Sequence, residues 1–131
     1  QFIAAYPKHD LIRTAQHGLG LALKNQKKYD LALKEFESVL SEAIRDELGA
    51  HSQFLVGECY LEQKMYDESM AEYVKVETLY AFPQWQSKAI YEMAEALDGK
   101  GDKVNAQTQY KRLIQKFPDT PAATAAKGKL K

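Results

Sequence analysis

The sequence predicts an all-α fold, built as an array of antiparallel helix pairs. Helix-favouring Ala, Leu, Lys, Glu and Gln are plentiful among the 131 residues, whereas only four prolines and seven glycines occur. No segment sustains the Val, Ile and Thr alternation that is typical of strands. The pattern of side-chain sizes also recurs every 37 residues, as from Gly20 to Gly57, which indicates repeated helical units.

The repeat keeps the size class of the side chain at each position. Its columns are Gly20, Gly57 and Ala94; Ala32, Ser69 and Ala106; Phe36, Tyr73 and Tyr110; and Val39, Val76 and Leu113. This register predicts one array over residues 1–131, with complete repeats at 13–49, 50–86 and 87–123. We expect residues 1–7 to be the tail of a preceding repeat and residues 124–131 the start of a further one, so that the chain is part of a longer protein.

Within each repeat, apolar residues at helical spacing predict two helices. The first helices are expected at about 10–24, 52–64 and 87–97, and the second helices at about 29–43, 66–80 and 104–117. The short connections between them require antiparallel neighbours. Carboxylates near the second-helix starts, which can cap free N–H groups, are Asp30, Asp67 and Asp102. Trp85 falls between repeats two and three, where we expect it to act as a bulky staple; the alternative is an exposed ligand contact.

The small and aromatic columns predict how the helices pack. A mid-helix glycine costs up to about 1 kcal/mol relative to alanine, so the recurrence of Gly20 and Gly57 indicates close helix contact. The aromatic column would then fill the seam between the two helices. Cys59 lies in a column with Ala22 and Ala96, which predicts a packed core thiol and not a reactive one.

The order small, large, small, aromatic and proline resembles the tetratricopeptide repeat family. It is carried by Gly57, Tyr60, Ser69, Tyr73 and Pro83, and by the phrases Lys-Tyr-Asp-Leu-Ala-Leu at 28–33 and Met-Tyr-Asp-Glu-Ser-Met at 65–70. The resemblance covers the whole chain, although Gln16, Gln53 and Ile90 stand where the family has a tryptophan. It implies a right-handed superhelical solenoid.

The segment Phe-Pro-Asp-Thr-Pro-Ala-Ala at 117–123 and the long period resemble one branch of that family. This branch comprises bacterial cell-envelope proteins of the Tol-Pal coordinator and outer-membrane assembly lipoprotein type. The resemblance implies a scaffold in the bacterial periplasm or associated with the outer membrane.

The resemblance also implies that first-helix residues line a concave groove that receives a protein or peptide partner. Carried over by position, the groove residues are His17, Leu21, Lys24, His51, Phe54, Glu58, Lys88, Tyr91 and Glu95. The rings at 17, 54 and 91 share one column and suit binding of a peptide or helix. The alternative is that these rings only cover neighbouring helices. Towards the C-terminal end the groove is acidic, which favours a basic ligand; the alternative is a solvated charged face.

Several other functions are disfavoured by composition and motifs. Equal numbers of basic and acidic residues, 18 of each, argue against a nucleic-acid surface, and no apolar run reaches the roughly 20 residues of a membrane span. His9, His17, His51 and Cys59 match no metal-ligand spacing, although His17 and His51 could approach each other across adjacent first helices. No catalytic or cofactor-binding motif is found.

We therefore expect a non-catalytic protein–protein interaction scaffold, without a cofactor or metal, that binds a peptide or helix in the groove. Two alternatives stay open. One is self-association, in which open repeat ends stack on other copies. The other is a helical-repeat accessory domain of an enzyme.

Overall fold

The computed structural model describes the backbone of residues 2–131 and the side chains from Lys8 onwards. Over residues 2–131 the chain forms helices and connecting turns, and no strand. The helices are α1 (Phe2–Asn25), α2 (Tyr29–Leu40), α3 (Glu47–Glu62), α4 (Tyr66–Leu79), α5 (Pro83–Lys100), α6 (Lys103–Lys116) and α7 (Pro121–Lys127). The all-α prediction is confirmed.

The helices are arranged as a solenoid of pairs. Helix α1 packs on α2, α3 on α4 and α5 on α6, and each second helix also packs on the first helix of the next repeat. The first helices α1, α3, α5 and α7 in turn contact one another in sequence. One layer of the molecule is therefore made of first helices, which is the layer expected to carry the groove.

The seam of each pair forms where an aromatic side chain fills the space left by a small residue. A β-carbon added at Gly57 would lie 2.5 Å from Cε1 of Tyr73, and one added at Gly20 would lie 2.6 Å from Cε1 of Phe36. Both rings are fully buried, as are Ala32 and Ser69. The predicted role of the small and aromatic columns is confirmed, and so is the burial of Cys59.

Helix α1 begins at Phe2, before the predicted start at about 10, and α3 begins at Glu47, before the predicted start at about 52, with Asp46 as its cap. Two further boundaries differ from the prediction for local reasons. Helix α2 ends at Leu40, before the predicted position 43, because Ala43 takes a left-handed conformation with φ of 56° and donates its N–H to the Leu40 carbonyl. Helix α5 begins at Pro83, four residues before the predicted start at 87, because proline suits the first turn of a helix. It runs on to Lys100 and ends at Gly101, whose φ of 91° only glycine adopts readily.

Of the three carboxylates predicted to cap second helices, only Asp102 caps one. The Asp102 side chain accepts a hydrogen bond from the Asn105 N–H at the start of α6. Asp30 and Asp67 instead lie one residue inside α2 and α4, whose capping positions make no side-chain hydrogen bond. Their charge still opposes the helix dipole, and Asp67 pairs with Lys100 at 2.6 Å.

The predicted end segments are only partly covered by the described residues. The tail expected at residues 1–7 lies outside the described side chains. At the other end α7 begins at Pro121, before the predicted start at residue 124, and ends at Lys127, so Leu130 follows the helix. Ala122, Ala123 and Ala126 of α7 join the core of the third repeat.

Charged side chains connect successive repeats, and two such clusters are the most extensive in hydrogen bonds. Arg13 of α1 makes two hydrogen bonds, of 2.7 and 3.2 Å, to the Asp46 carboxylate that also caps α3. Glu77 of α4 accepts hydrogen bonds from Arg112 at 2.6 and 2.9 Å and from Lys116 at 2.7 Å. The Glu77 side chain is only 9% exposed, so these ion pairs between α4 and α6 are largely shielded from water.

Candidate partner-binding groove

The structure places every predicted groove residue on the first-helix layer, with different exposure. Phe54, His17 and Lys24 are largely covered, at 5%, 9% and 7% exposure. Lys88 is exposed, and the remaining predicted residues are half-buried: Leu21, His51, Glu58, Tyr91 and Glu95. Fewer residues are therefore accessible to a partner than the nine that were predicted.

The rings of the 17, 54 and 91 column each pack on a second-helix ring 19 residues later in the chain. The centroid distances are 6.0 Å for His17 and Phe36, 5.7 Å for Phe54 and Tyr73, and 5.5 Å for Tyr91 and Tyr110. His17 and Phe54 are buried, so their rings cover the neighbouring helices, as the alternative prediction states. Tyr91 keeps an accessible edge.

A run of neighbouring rings crosses three repeats. His17 lies 4.4 Å from His51, and His51 stacks on Trp85 at 4.2 Å between ring centroids. The expected approach of the two histidines is thus confirmed. His17 Nδ1 shares a 2.8 Å hydrogen bond with the Ser52 hydroxyl. Burial is the main cause that lowers the pKa of His51 to about 4, helped by the nearby His17 and Lys88.

Trp85, for which the sequence favoured a staple role, is part of the ring cluster on the first-helix layer. It lies in the first turn of α5 and not between repeats, so it contacts the rings of His51 and Phe54. Lys88 Nζ sits 4.8 Å above its ring centre, in cation–π geometry. Its place in a helix could have been found from Pro83, since proline is common at the first helical position.

Lys24 bridges α1 and α3 through ion pairs. Its Nζ lies 2.8 Å from a carboxylate oxygen of Glu62 and 3.3 Å from one of Glu58. Burial lowers the pKa of Lys24, but its hydrogen bond to Glu62 and the charge of Glu58 outweigh that effect and raise it overall. Lys24 is therefore a charged structural contact, covered by its partners.

Two carboxyl groups meet where α3, α4 and α5 come together. The Tyr73 hydroxyl donates a 2.6 Å hydrogen bond to Glu92, and the Glu58 carboxyl lies beside Glu92. Burial, with the contact to Glu58, raises the pKa of Glu92 to about 9. Burial also raises the pKa of Glu95, one turn further along α5. Burial and the neighbouring Glu58 therefore favour the protonated form of Glu92 to a higher pH than for a free carboxyl group.

Beside this pair lies a pocket of about 290 Å³ between α3, α5 and α7. Its aromatic side is formed by Phe54 and Tyr91, and its aliphatic side by α7. The complete lining is Phe54, Glu58, Lys88, Tyr91, Glu92, Pro121, Ala122 and Ala125. The pocket thus combines four of the nine predicted groove residues with Glu92 and an apolar wall that the sequence did not predict.

Metal binding and thiol chemistry receive no support from the described residues. From Lys8 to Lys131 no group of three His, Cys, Asp or Glu side chains is arranged to hold a metal ion. Burial raises the pKa of the Cys59 thiol to about 12, so the thiolate is disfavoured.

Comparison with known proteins establishes the family. A family model for the tetratricopeptide repeat matches residues 17–83, and a second tetratricopeptide repeat model matches residues 88–120. The chain belongs to the tetratricopeptide repeat family. No curated protein matches this tetratricopeptide repeat chain.

A solved structure supports the arrangement of the repeats. The chain is similar to the N-terminal domain of stress-induced protein-1 (STI-1) from C. elegans, with a TM-score of 0.74 and 18% sequence identity. The similarity covers 88% of this tetratricopeptide repeat chain and 92% of the other. At that identity it shows the fold alone. In the part of the chain that the structure describes, no helix is long and apolar enough to cross a membrane.

Proposed function

We propose that this tetratricopeptide repeat chain is a non-catalytic scaffold that binds a peptide or helix of a partner protein in the first-helix groove. Tetratricopeptide repeat domains generally mediate protein–protein interaction. They are typically interaction modules without catalysis of their own. The side chains that would bind are those with accessible surface, chiefly Lys88, Tyr91 and Glu58.

The pocket between α3, α5 and α7 is the observation that carries this proposal. A binding groove needs a concave place where a partner side chain can lose its water, and an anchor there contributes most of the affinity. Tyr91 supplies a half-buried ring, while Lys88 and Glu58 supply charges that line the same pocket. These three positions come from adjacent first helices, so an extended partner segment can contact several repeats at once.

Photo-crosslinking tests where the partner lies. A benzoylphenylalanine residue placed at Tyr91 should form crosslinks to one partner protein in cells of the source organism, within the full-length protein. The same crosslinker placed at the exposed Val74 of α4, outside the first-helix layer, is the matched control. Crosslinks from both positions in equal yield, or from Val74 alone, would contradict the groove as the binding surface.

We also propose the bacterial cell envelope as the compartment, in the periplasm or at the outer membrane. The proposal depends on the resemblance of residues 117–123 to that branch of the family. Fractionation of bacterial cells that express the full-length protein tests it: we expect the protein in the periplasmic or outer-membrane fraction. Recovery in the cytoplasmic fraction would exclude this compartment.

Self-association is a second candidate because one face of α1 exposes apolar side chains. Leu11 is 68% exposed and Leu19 is 50% exposed, whereas the counterparts of Leu19 in later repeats, Val56 and Met93, are buried. A second copy could pack on this face of α1 in the same way that α1 and α2 pack on α3 in the next repeat. Light scattering should then show a dimer that Leu19→Glu converts to monomer, with Leu31→Glu as a control on exposed α2 surface. A monomer at all concentrations would exclude it.

A further inference from the structure

The pocket between α3, α5 and α7 has an apolar base and a partly charged rim. Phe54 and Ala122 line it as buried residues and form its base. Pro121, Ala125 and Lys88 line it as exposed residues and form its rim. Its volume of about 290 Å³ lies below the roughly 300–1,000 Å³ that is usual for small-molecule sites. The pocket therefore suits a single side chain of a partner protein better than a whole small molecule.

The carboxyl groups that line the pocket already have partners within the protein. Glu58 pairs with Lys24 Nζ at 3.3 Å, and Lys24 also pairs with Glu62 at 2.8 Å. Glu92 accepts a 2.6 Å hydrogen bond from the Tyr73 hydroxyl. Because both carboxyl groups of the lining are engaged, the surface left for a ligand is chiefly that of the surrounding rings and methyl groups. Such surface gains most from an apolar side chain, which leaves water when it binds.

Lys88 differs from Lys24 because it has no carboxylate partner. Among the side chains of residues 8–131 none forms an ion pair with its Nζ, which lies 4.8 Å above the centre of the Trp85 ring. The Glu47 carboxylate near this ring accepts hydrogen bonds from Gln84 Nε2 and Trp85 Nε1 instead. Lys88 is thus a positive charge at the rim of the pocket, with which an acidic group of a partner can pair.

We propose that this pocket receives a large apolar side chain of the partner segment, and that an adjacent aspartate or glutamate of the same segment pairs with Lys88. This inference rests on the proposed function and adds the chemistry of the ligand. The apolar side chain contributes most of the affinity, because anchors that lose their water in a pocket dominate interfaces. Lys88 lies about one turn before Tyr91 on α5 and Glu95 about one turn after it, so the acidic neighbour selects one direction of the partner segment.

Nuclear magnetic resonance titration with capped dipeptides tests the pocket directly. The probes are the N-acetylated methylamides of leucyl-aspartate, of leucyl-asparagine, which lacks the charge, of alanyl-aspartate, which lacks most of the apolar side chain, and of lysyl-aspartate. We expect the leucyl-aspartate probe to shift the signals of Tyr91, Ala122 and Ala125. Its affinity should exceed that of leucyl-asparagine about threefold, as for an exposed ion pair, and that of alanyl-aspartate by about tenfold or more.

Each alternative occupant gives a different ranking of these probes. Equal affinity of the leucyl and alanyl probes, or no shifts with any probe, would overturn the apolar anchor. A lysyl-aspartate probe that binds as tightly as leucyl-aspartate would overturn it as well, because the pocket would then not select apolar surface. Equal affinity of the aspartate and asparagine probes would overturn the pairing with Lys88.

Two variants separate the apolar pocket from its charged rim. Ala125→Leu should abolish binding of the leucyl-aspartate probe, because the new side chain occupies the place of the ligand; Thr124→Leu, on exposed α7 surface outside the lining, is the matched control. Lys88→Gln should make the aspartate and asparagine probes bind equally. Lys111→Gln on exposed α6 surface should leave their difference intact. Wild-type affinities in both Ala125→Leu and Lys88→Gln would refute the inference.

The outcomes distinguish this inference from the proposed function. If the dipeptides fail while a crosslinker at Tyr91 still captures a partner, the groove binds proteins but the pocket does not take an apolar anchor. If the dipeptides bind as expected while Tyr91 captures nothing, the pocket chemistry is right and the groove function is wrong.

Discussion

The hydroxyl of Tyr73 donates a 2.6 Å hydrogen bond to Glu92, which joins the second helix of one repeat to the first helix of the next. The same ring fills the space above Gly57 within its own repeat. One side chain therefore contributes both to the packing within a pair and to the stacking between pairs. Because a solenoid is stabilised by contacts between neighbours, changes at this ring should affect the whole array.

A methyl group at Gly57 should destabilise the fold. In Gly57→Ala the new carbon would lie 2.5 Å from the fully buried Tyr73 ring, which has little room to move. We expect a loss of about 1–3 kcal/mol in the free energy of unfolding, typical of overpacking. Gly18→Ala is the matched control: nothing lies within 4 Å of its added carbon, so it should gain up to about 1 kcal/mol. Urea denaturation measures both, and equal effects would contradict the packing register.

Glu92→Gln should stabilise the protein at high pH. The raised pKa of Glu92 means that the folded chain keeps a proton that the unfolded chain releases above its ordinary value of 4.5. The stability from this group is full below pH 4.5 and is lost as the pH rises towards about 9. The melting temperature of Glu92→Gln should therefore exceed that of the wild type increasingly from pH 5 to 9. A constant difference over that range would show that Glu92 does not carry the proton.

His51→Phe should make the fold less sensitive to acid. The pKa of His51 falls from 6.5 to about 4 on folding, so the unfolded chain binds more protons in that window. The contribution of neutral His51 to the free energy of unfolding is present above pH 6.5 and is lost as the pH falls towards 4. Phenylalanine keeps a ring beside Trp85 but cannot be protonated. Thermal melts between pH 6.5 and 4 should show a shallower decline for His51→Phe than for His9→Phe, in which an exposed histidine is changed.

Glu77→Gln should loosen the contact between α4 and α6. Glu77 holds Arg112 and Lys116 together, and the substitution leaves both cations without their carboxylate. Loss of charged hydrogen bonds at a covered site should cost about 1–3 kcal/mol. Lys100→Met breaks only the exposed pair with Asp67 and should lower the free energy of unfolding less than Glu77→Gln does, because water screens that pair. Denaturation curves that rank the two variants in the opposite order would contradict this assignment.

The packing of each helix pair could be predicted from the sequence, because the repeat aligns residues that have the same neighbours. Gly57 and Tyr73 are examples: a small residue on the first helix indicates that a large side chain of the second helix fills the space beside it. Helix ends were less predictable. Ala43 turns in a left-handed conformation that its side chain does not favour, and Pro83 begins a helix four residues early.

The groove was only partly predictable. Position in the repeat correctly placed Phe54, His17 and Tyr91 on the first helices, but not their different exposure, which depends on how closely successive helices approach. The stacking of Trp85 on His51 and the hydrogen bond from Tyr73 to Glu92 join different columns of the repeat. Such contacts depend on the angle between successive repeats. The repeat period of the sequence does not determine that angle, so these contacts could not be predicted.

The central claim is that partners bind the first-helix layer. Once crosslinking has identified a partner, its binding segment can be made as a peptide and mapped on the isotope-labelled chain by chemical-shift perturbation. We expect the perturbed residues to lie on α3, α5 and α7, centred on Tyr91, Lys88 and Ala122. Perturbations confined to the exposed faces of α2, α4 and α6 would contradict it.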